Sequence, residues 1–420
     1  MSRLGDAVPS LDPGTRVALQ IPGSIAYVEL VLGLLSHGIF PIPLDPKLTS
    51  FETDELFAEL APTARITAAA DLAQWQMRYP VIGLPRGRPI HVTSGTTGRP
   101  KGVWSGLLSA HHAEALVSEE RELWGFASGD VNLVLSPLHH SAPLRFAMGT
   151  LLAGGRLVVP GPFDVERITA AIHNQRPTSM FCVPTHLQRL FAHWDQTEWP
   201  DLTSFRLVAH AGAPCPDPVK QRLLSEFPPG STWEFYGSTE GQFTACRSEE
   251  WAMHPGTVGR ARPGRRLWVE PDGHLWCEVP GHARFSYFGD PVKTEAAWRG
   301  SSFTVGDLGR IDEDGYVYLD GRRVDLIITG GVNVYPAEVE NVLSHLDGIV
   351  EIAVYGVPDP DWGMRVCAAY VGDVAEQAIR DYARAHLAPA KRPKTYLRSS
   401  GLPRTATGKV LRRSLSEQPH

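Results

Sequence analysis

The sequence predicts an α/β protein in two parts. The first is a large N-terminal domain of parallel and mixed sheets with helices and a small β-hairpin region; the second is a small α+β C-terminal domain. Three observations lead there. Short apolar runs alternate with amphipathic stretches up to about Gly237, two Asp-Gly turns follow between residues 266 and 321, and a strand–helix–strand–strand–helix order fills the remainder. The boundary is expected between residues 320 and 321, at GRRVD. A chain of 420 residues also exceeds the usual size of one domain.

In order along the chain, RVALQI is a strand, IAYVELVLGLLSHG a helix closed by Gly38, and IFPIPLD a second strand. VNLVLSPL (131–138), RLVV (156–159), SMFCVPT (179–185), FRLVAHAG (205–212) and TWEFYG (232–237) then read as strands. DVERITAAIHNQ (164–175) and DPVKQRLLSEF (217–227) carry helical periodicity, with Asp164 and Asp217 expected as N-caps. Strand, helix and strand at this spacing imply right-handed crossovers and a largely parallel sheet. RLWVEPDGHLWCEV and GRIDEDGYVYLDG are hairpins, because Asp-Gly is the strongest short hairpin signal. DLIITGG, PAEVENVLSHL, VEIAVYGV, VCAAYVG and VAEQAIRDYARAHL supply the C-terminal strands and helices, followed by a basic tail.

Composition excludes several classes. Hydrophobic residues at 43% and charged residues at 20% are those of a globular chain rather than a disordered one. A net charge of −6 gives no general attraction to nucleic acid or anionic membrane. Five scattered cysteines with no CxxC pair argue against a disulfide framework or zinc site and for a reducing cytoplasm. The N-terminus lacks the apolar core of a secretory signal. The apolar stretch from Ile25 to Leu35 is shorter than the about 18 residues of a membrane span.

The segment Thr93-Ser94-Gly95-Thr96-Thr97-Gly98-Arg99-Pro100-Lys101-Gly102 carries three glycines, four hydroxyls and two cations. Glycines let successive backbone N–H groups converge on an anion, and hydroxyls and Lys101 add donors and charge. A lone run of this kind would be read as a polar surface loop. It is not a Walker A loop, because Pro100 stands where that motif needs glycine, and no GxGxxG follows a strand.

TSGTTGRPKG resembles the phosphate-binding signature of the adenylate-forming superfamily of acyl-CoA synthetases, nonribosomal adenylation domains and luciferases. Four further motifs follow in that family's order: Tyr236-Gly237-Ser238-Thr239-Glu240, Val305-Gly306-Asp307, GRRVDLIITGGVNVYPAEVE (321–340) and PRTATGKVLRR (403–413). IFPIPLDPKLT (39–49) resembles its early region, so the likeness covers nearly the whole chain. Against the family the N-terminal lobe is expected to be shortened, with residues 60–90 compressed, and Val324 stands where a charged hinge residue is common, before Asp325.

The resemblance implies ATP-dependent activation of a carboxylic acid to acyl-AMP, with release of pyrophosphate, then transfer to CoA. Two anions must meet, so cations and donors have to be in place beforehand. It implies Mg2+ on Glu240, a donation from Thr239 to the α-phosphate, and the ribose on Asp307. Without the likeness, Glu240 would be a solvated carboxylate and Asp307 a turn cap beside Gly306. The base would lie against Gly212-Ala213-Pro214 and Tyr236, with Glu234, Phe235 and Gly237 in the same nucleotide segment. Lys409 is implied to bridge carboxylate, ribose and α-phosphate during adenylation, and Arg322 at the hinge to meet ribose or phosphate. A mobile C-terminal domain would exchange Lys409 for the Gly330-Gly331 loop along a pantetheine channel. Lys391, Arg392, Lys394, Arg412 and Arg413 read as a solvated face that could attract CoA's 3′-phosphate.

In His139-His140, acyltransfer chemistry of the HHxxxD kind is excluded by Leu144, and neighbouring strand residues face opposite ways, unlike a zinc pair. By resemblance His140 is the gate residue of the acyl pocket, and SAPLRFAMGTLLAGG lines that pocket. Ser141 replaces the aspartate that would pair with an α-ammonium, which argues against an amino acid. Ala142, Phe146 and Ala147 suggest a wall for an apolar aryl or alkyl acid, with Arg145 the exception. Transfer to a carrier-protein phosphopantetheine or to an amine shares every motif; free CoA is expected, because only seven residues follow Arg413. A non-catalytic nucleotide- or acyl-binding relative is disfavoured by Glu240, Asp307 and Lys409 together. The oligomeric state, a homodimer included, is left open.

Overall fold

The computed structural model describes residues 8–417 except 49, 94–100, 213, 323–326, 330, 331, 335, 360, 361, 388 and 405–409. It is a mixed α/β protein with a large N-terminal and a small C-terminal domain. The centre is a seven-stranded sheet. From the edge strand Arg156–Val158 through Val131–Val134, Ser179–Cys182, Leu207–His210 and Thr232–Glu234 all pairings are parallel. Two antiparallel strands, Thr244–Arg247 and Arg260–Ala261, complete it. The strands are shorter than the apolar runs suggested, because each C-terminal end turns early into a loop, and those loops carry the site.

Both faces of this sheet are buried, and the period of two sorts its residues. Met180, Cys182 and Val208 face a core with Ile168, Leu187 and Leu223 of the covering helices. Phe181, Leu207, Ala209 and Phe235 face an aromatic core with Trp124, Phe126 and Phe146. The helix Val165–Gln175 starts as expected, Asp164 accepting from the Arg167 N–H at 2.9 Å. The next N-cap differs. Pro216 caps Asp217–Glu226 and Asp217 is its first residue, because the Asp217 carboxylate is turned to His345 Nε2, 3.3 Å away.

A second sheet, Phe40–Pro43, Arg16–Leu19 and Ala64–Ile66, is parallel throughout and carries the helix Ile25–Ser36. Residues 60–90 contain the helix Leu72–Arg78, and His91–Thr93 pairs with Lys101–Trp104 and, through it, Ser286–Tyr287. Both Asp-Gly hairpins form: Arg266–Val269 with Leu275–Glu278, and Asp307–Ile311 with Val317–Arg322. Gly273 and Gly315 turn them at φ +87 and +84.

In the C-terminal region, Ile349–Asp359 and Gly363–Gly372 form a long antiparallel pair. Its faces bury two clusters, one with Val339, Leu343 and Ile379 and one with Leu402 and Leu415. Arg412 grips both oxygens of Glu340 at 2.8 Å and is a structural tie, while Arg413 stays exposed beside Glu417. No helix among the described residues is long and apolar enough to cross a membrane.

Candidate active site

The segment after Thr232–Glu234 folds into a tight turn. Gly237 bridges Gln242, and the Ser238 N–H donates to the Gly241 carbonyl at 2.8 Å. A Cβ on Gly237 would come 2.9 Å from the Gly241 oxygen, and one on Gly241 would come 2.9 Å from the Phe303 ring. Small residues are therefore required for Ser238, Thr239 and Glu240 to sit where they do. Ser238 and Thr239 face a cavity of about 220 Å³, and Glu240 lies behind them, 8% exposed. The Tyr287 hydroxyl donates to Glu240 Oε1 at 2.9 Å, and Arg88 Nη1 donates to its backbone carbonyl at 3.3 Å.

Asp307 is buried at the start of its hairpin and accepts from the Tyr236 hydroxyl. Its cross-strand partner is Arg322, so the two residues implied for the ribose stand opposite each other in one ladder. The Tyr236 ring stacks on Phe243 with centroids 4.7 Å apart. Gly212 adopts φ +92 just after His210, and Pro214 is exposed beyond it.

Other expected contacts have different partners. Glu234 is joined to Lys220, whose Nζ is 2.9 Å from Glu234 Oε2 and 2.8 Å from His210 Nε2, with none of the lysine side chain exposed. Strand register explains this: Glu234 and His210 are direct partners on one sheet face, and Lys220 descends onto it from the next helix. Phe235 belongs to the aromatic core. Lys101 Nζ meets Glu59 at 2.6 Å and Asp290 at 3.4 Å, which together raise its pKa, the Glu59 hydrogen bond most. Ser94, Gly95, Thr96, Thr97, Gly98, Ala213, Gly330, Gly331 and Lys409 lie outside the described residues, as do the side chains of Thr93 and Arg322.

His140 caps the helix Ser141–Leu152, its ring edge-on to His139 at 4.2 Å. Burial, then the charge on His139, push its pKa down to about 4, so it is neutral at pH 7. His91, beside them in the cavity wall, is pushed by burial to about 3.

The cavity-facing stripe of Ser141–Leu152 is Ser141, Leu144, Arg145, Met148, Gly149 and Leu152. This corrects the wall read from the sequence, since Ala142, Phe146 and Ala147 pack against the protein interior instead. The opposite wall holds residues that sequence reasoning missed: Arg88, Glu119, Glu120, Gln242, Arg262 and Arg265. The Arg262 side chain is 1% exposed and bridges Glu119 and Glu120 at 3.0 and 2.8 Å. Arg265 and His282 each approach Glu119 to 2.6 Å, and Arg145 Nε lies 3.2 Å from Glu120. Burial alone would raise Glu119, but His282, Arg265 and Arg262 outweigh it and hold its pKa at about 2.

One buried carboxylate fits Mg2+, which usually takes one or two protein carboxylates and completes its shell with phosphate and water oxygens. Tyr287 fixes one oxygen of Glu240, and among the described residues no group of three His, Cys, Asp or Glu could cage a metal ion.

A large α/β body whose sheet loops deliver a hydroxyl–carboxylate turn beside a cavity, with a small C-terminal domain after it, is the architecture of an adenylate-forming enzyme. Residues 90–281 match the AMP-binding enzyme family and residues 338–409 match the AMP-binding enzyme C-terminal domain. The chain is 30% identical to 2-succinylbenzoate–CoA ligase of Geobacillus sp. (strain WCH70), covering 96% of itself and 87% of that protein. It is 32% identical to feruloyl-CoA synthase of Amycolatopsis sp, covering 95% and 88%. ATP-bound MatB from Rhodopseudomonas palustris superposes with a TM-score of 0.83 at 29% identity, over 97% of this chain and 89% of that one. The chain belongs to the AMP-binding enzyme family, on the branch of AMP-forming acyl-CoA ligases, whose substrates include ATP and CoA.

Proposed function

We propose that this enzyme joins a small carboxylic acid to AMP, releasing pyrophosphate, and then passes the acyl group to CoA. The observation that carries this reading is the Ser238-Thr239-Glu240 turn, whose Ser238 and Thr239 line a cavity of about 220 Å³. Thr239 donates to the α-phosphate, Asp307 with Arg322 holds the ribose, and His140 stands at the head of the cavity helix. Glu240 holds Mg2+, which when bound offsets phosphate charge as pyrophosphate leaves. Lys409 neutralises the carboxylate and α-phosphate as they meet. The phosphate loop is Thr93 to Gly98 with Lys101, and the base site is Gly212, Ala213, Pro214 and Tyr236.

Glu234 serves by position. Its pairing with Lys220 and His210 braces the end of the strand from which Gly212 departs. The domain boundary falls at 320/321, and rotation of residues 321–420 brings Gly330 and Gly331 to the pantetheine arm in place of Lys409. Five free cysteines support a cytoplasmic setting.

ATP–pyrophosphate exchange across a panel of acids tests the first step. Purified acyl-AMP offered to CoA, carrier proteins and amines tests the second. Saturable thioester with CoA is expected; product only with a carrier or an amine overturns the choice of acceptor.

A further inference from the structure

The cavity holds more positive charge than its own carboxylates neutralise. Of the five arginines that line it, Arg121 is exposed to solvent, and Arg88, Arg145, Arg262 and Arg265 stand against only Glu119 and Glu120 among its described acidic residues. Four guanidiniums facing two carboxylates leave an excess of two positive charges, and a buried charge without a partner is strongly unfavourable. Burial, only partly opposed by Glu120, lowers the Arg145 pKa to about 10, and burial does the same to Arg88. Both remain cationic at neutral pH.

Several donors here have no hydrogen-bond partner in the protein. They are Arg145 Nη2, Arg262 Nε and Nη1, and Arg265 Nε; Arg145 Nε makes no hydrogen bond either, but it is ion-paired with Glu120 at 3.2 Å. Arg145 is the most open of the three to the cavity, its side chain 24% exposed. The fourth observation is independent of charge: Gln242 is 5% exposed, lines the same cavity, and neither its Oε1 nor its Nε2 has a partner. Buried polar groups are normally satisfied, so a donor-rich wall of this kind is built for something that binds there. Leu144, Met148, Leu116 and Val117 line the remainder, which suits a short apolar spacer.

We propose that the acid activated here is a dicarboxylate: one carboxylate reacts beside Thr239 and the second is held across the cavity by Arg145, with Gln242 and the Arg262–Arg265 pair in support. This rests on the ligase reading and names its substrate class. A planar guanidinium with free N–H groups matches a carboxylate in two-point geometry. The cavity volume of about 220 Å³ points to a short or mid-sized spacer rather than a long chain. Arg145 thereby determines specificity without taking part in the bond-making step.

The test is ATP–pyrophosphate exchange by the full-length enzyme with matched acids. Straight-chain monoacids of four to eight carbons are compared with the α,ω-diacids and the ω-amino acids of equal length, and benzoate with its three carboxylated forms. The wild-type enzyme is expected to favour at least one diacid over its monoacid by about tenfold or more in kcat/KM, and to reject the ω-amino acids. Arg145→Met should shrink the diacid-to-monoacid ratio by about ten- to a hundredfold, and Arg145→Lys should restore part of it. A wild-type preference for monoacids, or a ratio indifferent to Arg145→Met, overturns the proposal. Because the wild-type comparison stands alone, a poorly folding variant does not remove the test. Exchange with monoacids only refutes the second carboxylate and leaves the ligase reading standing; exchange with no acid refutes both.

Discussion

Replacing Lys220 by methionine tests the brace beneath the nucleotide loop. The lysine side chain is wholly buried, and the change removes a cation 2.9 Å from Glu234 Oε2 and 2.8 Å from His210 Nε2. Glu234, itself 7% exposed, then keeps a charge with no counterion, and breaking a buried pair on one side costs about 3–5 kcal/mol. In Lys220→Met/Glu234→Met both charges are gone, and the surviving defect is the His210 acceptor, worth about 1–3 kcal/mol. The double variant should therefore be the more stable, with a coupling of about 1–3 kcal/mol. Urea unfolding followed by far-UV circular dichroism provides the readout of both variants. The KM for ATP should rise in the single variant, since the strand ending at His210 leads straight into Gly212. A single-variant loss below about 1 kcal/mol, or a double variant as damaged as the sum of the singles, refutes the account.

Lys409→Ala should lower adenylation on the order of 10²–10³-fold while thioester formation from preformed acyl-AMP persists; equal loss in both half-reactions, measured separately, would remove the lobe exchange. Glu240→Gln should raise the Mg2+ concentration needed for half-maximal pyrophosphate exchange, since a neutral amide oxygen binds the hard cation less well; an unchanged Mg2+ titration takes the metal from Glu240. Stability should fall as pH drops below about 6.5. His91, His186 and His210 are held neutral by burial, with pKa values of about 3, about 4 and well below normal, while the unfolded chain takes up a proton at each. His140, also held at about 4, belongs with them; each such site costs about 1.4 kcal/mol per pH unit below 6.5, so the four together approach about 5 kcal/mol per unit. Glu119, held at about 2, adds a further loss below the ordinary carboxylate range. Urea midpoints between pH 5 and 8 provide the check, and a flat profile would contradict it.

Local pattern located most of the elements. The apolar run that placed a strand at Ser179–Cys182 and the side chain that placed Asp164 at a helix start are both short-range, and both are realised. Asp217 missed the cap because its partner, His345, is more than a hundred residues away in sequence. The Ser141–Leu152 helix shows a deeper limit. Its periodicity identifies stripes, but which stripe meets the cavity depends on where Phe126 and Trp124 place the aromatic core, and Phe146 turned inward to join them. Glu119-Glu120, within SEERE, went unremarked in the sequence, since nothing nearby announces Arg262 and Arg265. The turn at Thr239 and Glu240 was singled out only through the family resemblance, and the polar wall beside it was not singled out at all.

Arg88 ties those two halves together. Its Nη1 donates to the Glu240 carbonyl at 3.3 Å and its Nη2 to the Arg284 carbonyl at 3.0 Å, so the guanidinium pins the turn that carries Glu240. The same guanidinium lines the acid cavity and contributes to its excess positive charge. Burial works most against the Arg88 charge, Arg265 repels it, and Glu119, Glu240 and Glu120 attract it, so a further negative partner would favour it. An anion in the cavity supplies one without displacing either carbonyl, so its charge is felt at the turn through a residue that need not move. Coulomb attraction at the effective dielectric of a protein site is worth a few kcal/mol at contact distances. The acid's second charge would then act twice: it is held by Arg145, and it relieves the repulsion on the arginine that fixes Glu240. Recognition of an acid in the cavity and placement of Glu240 would then be one electrostatic arrangement.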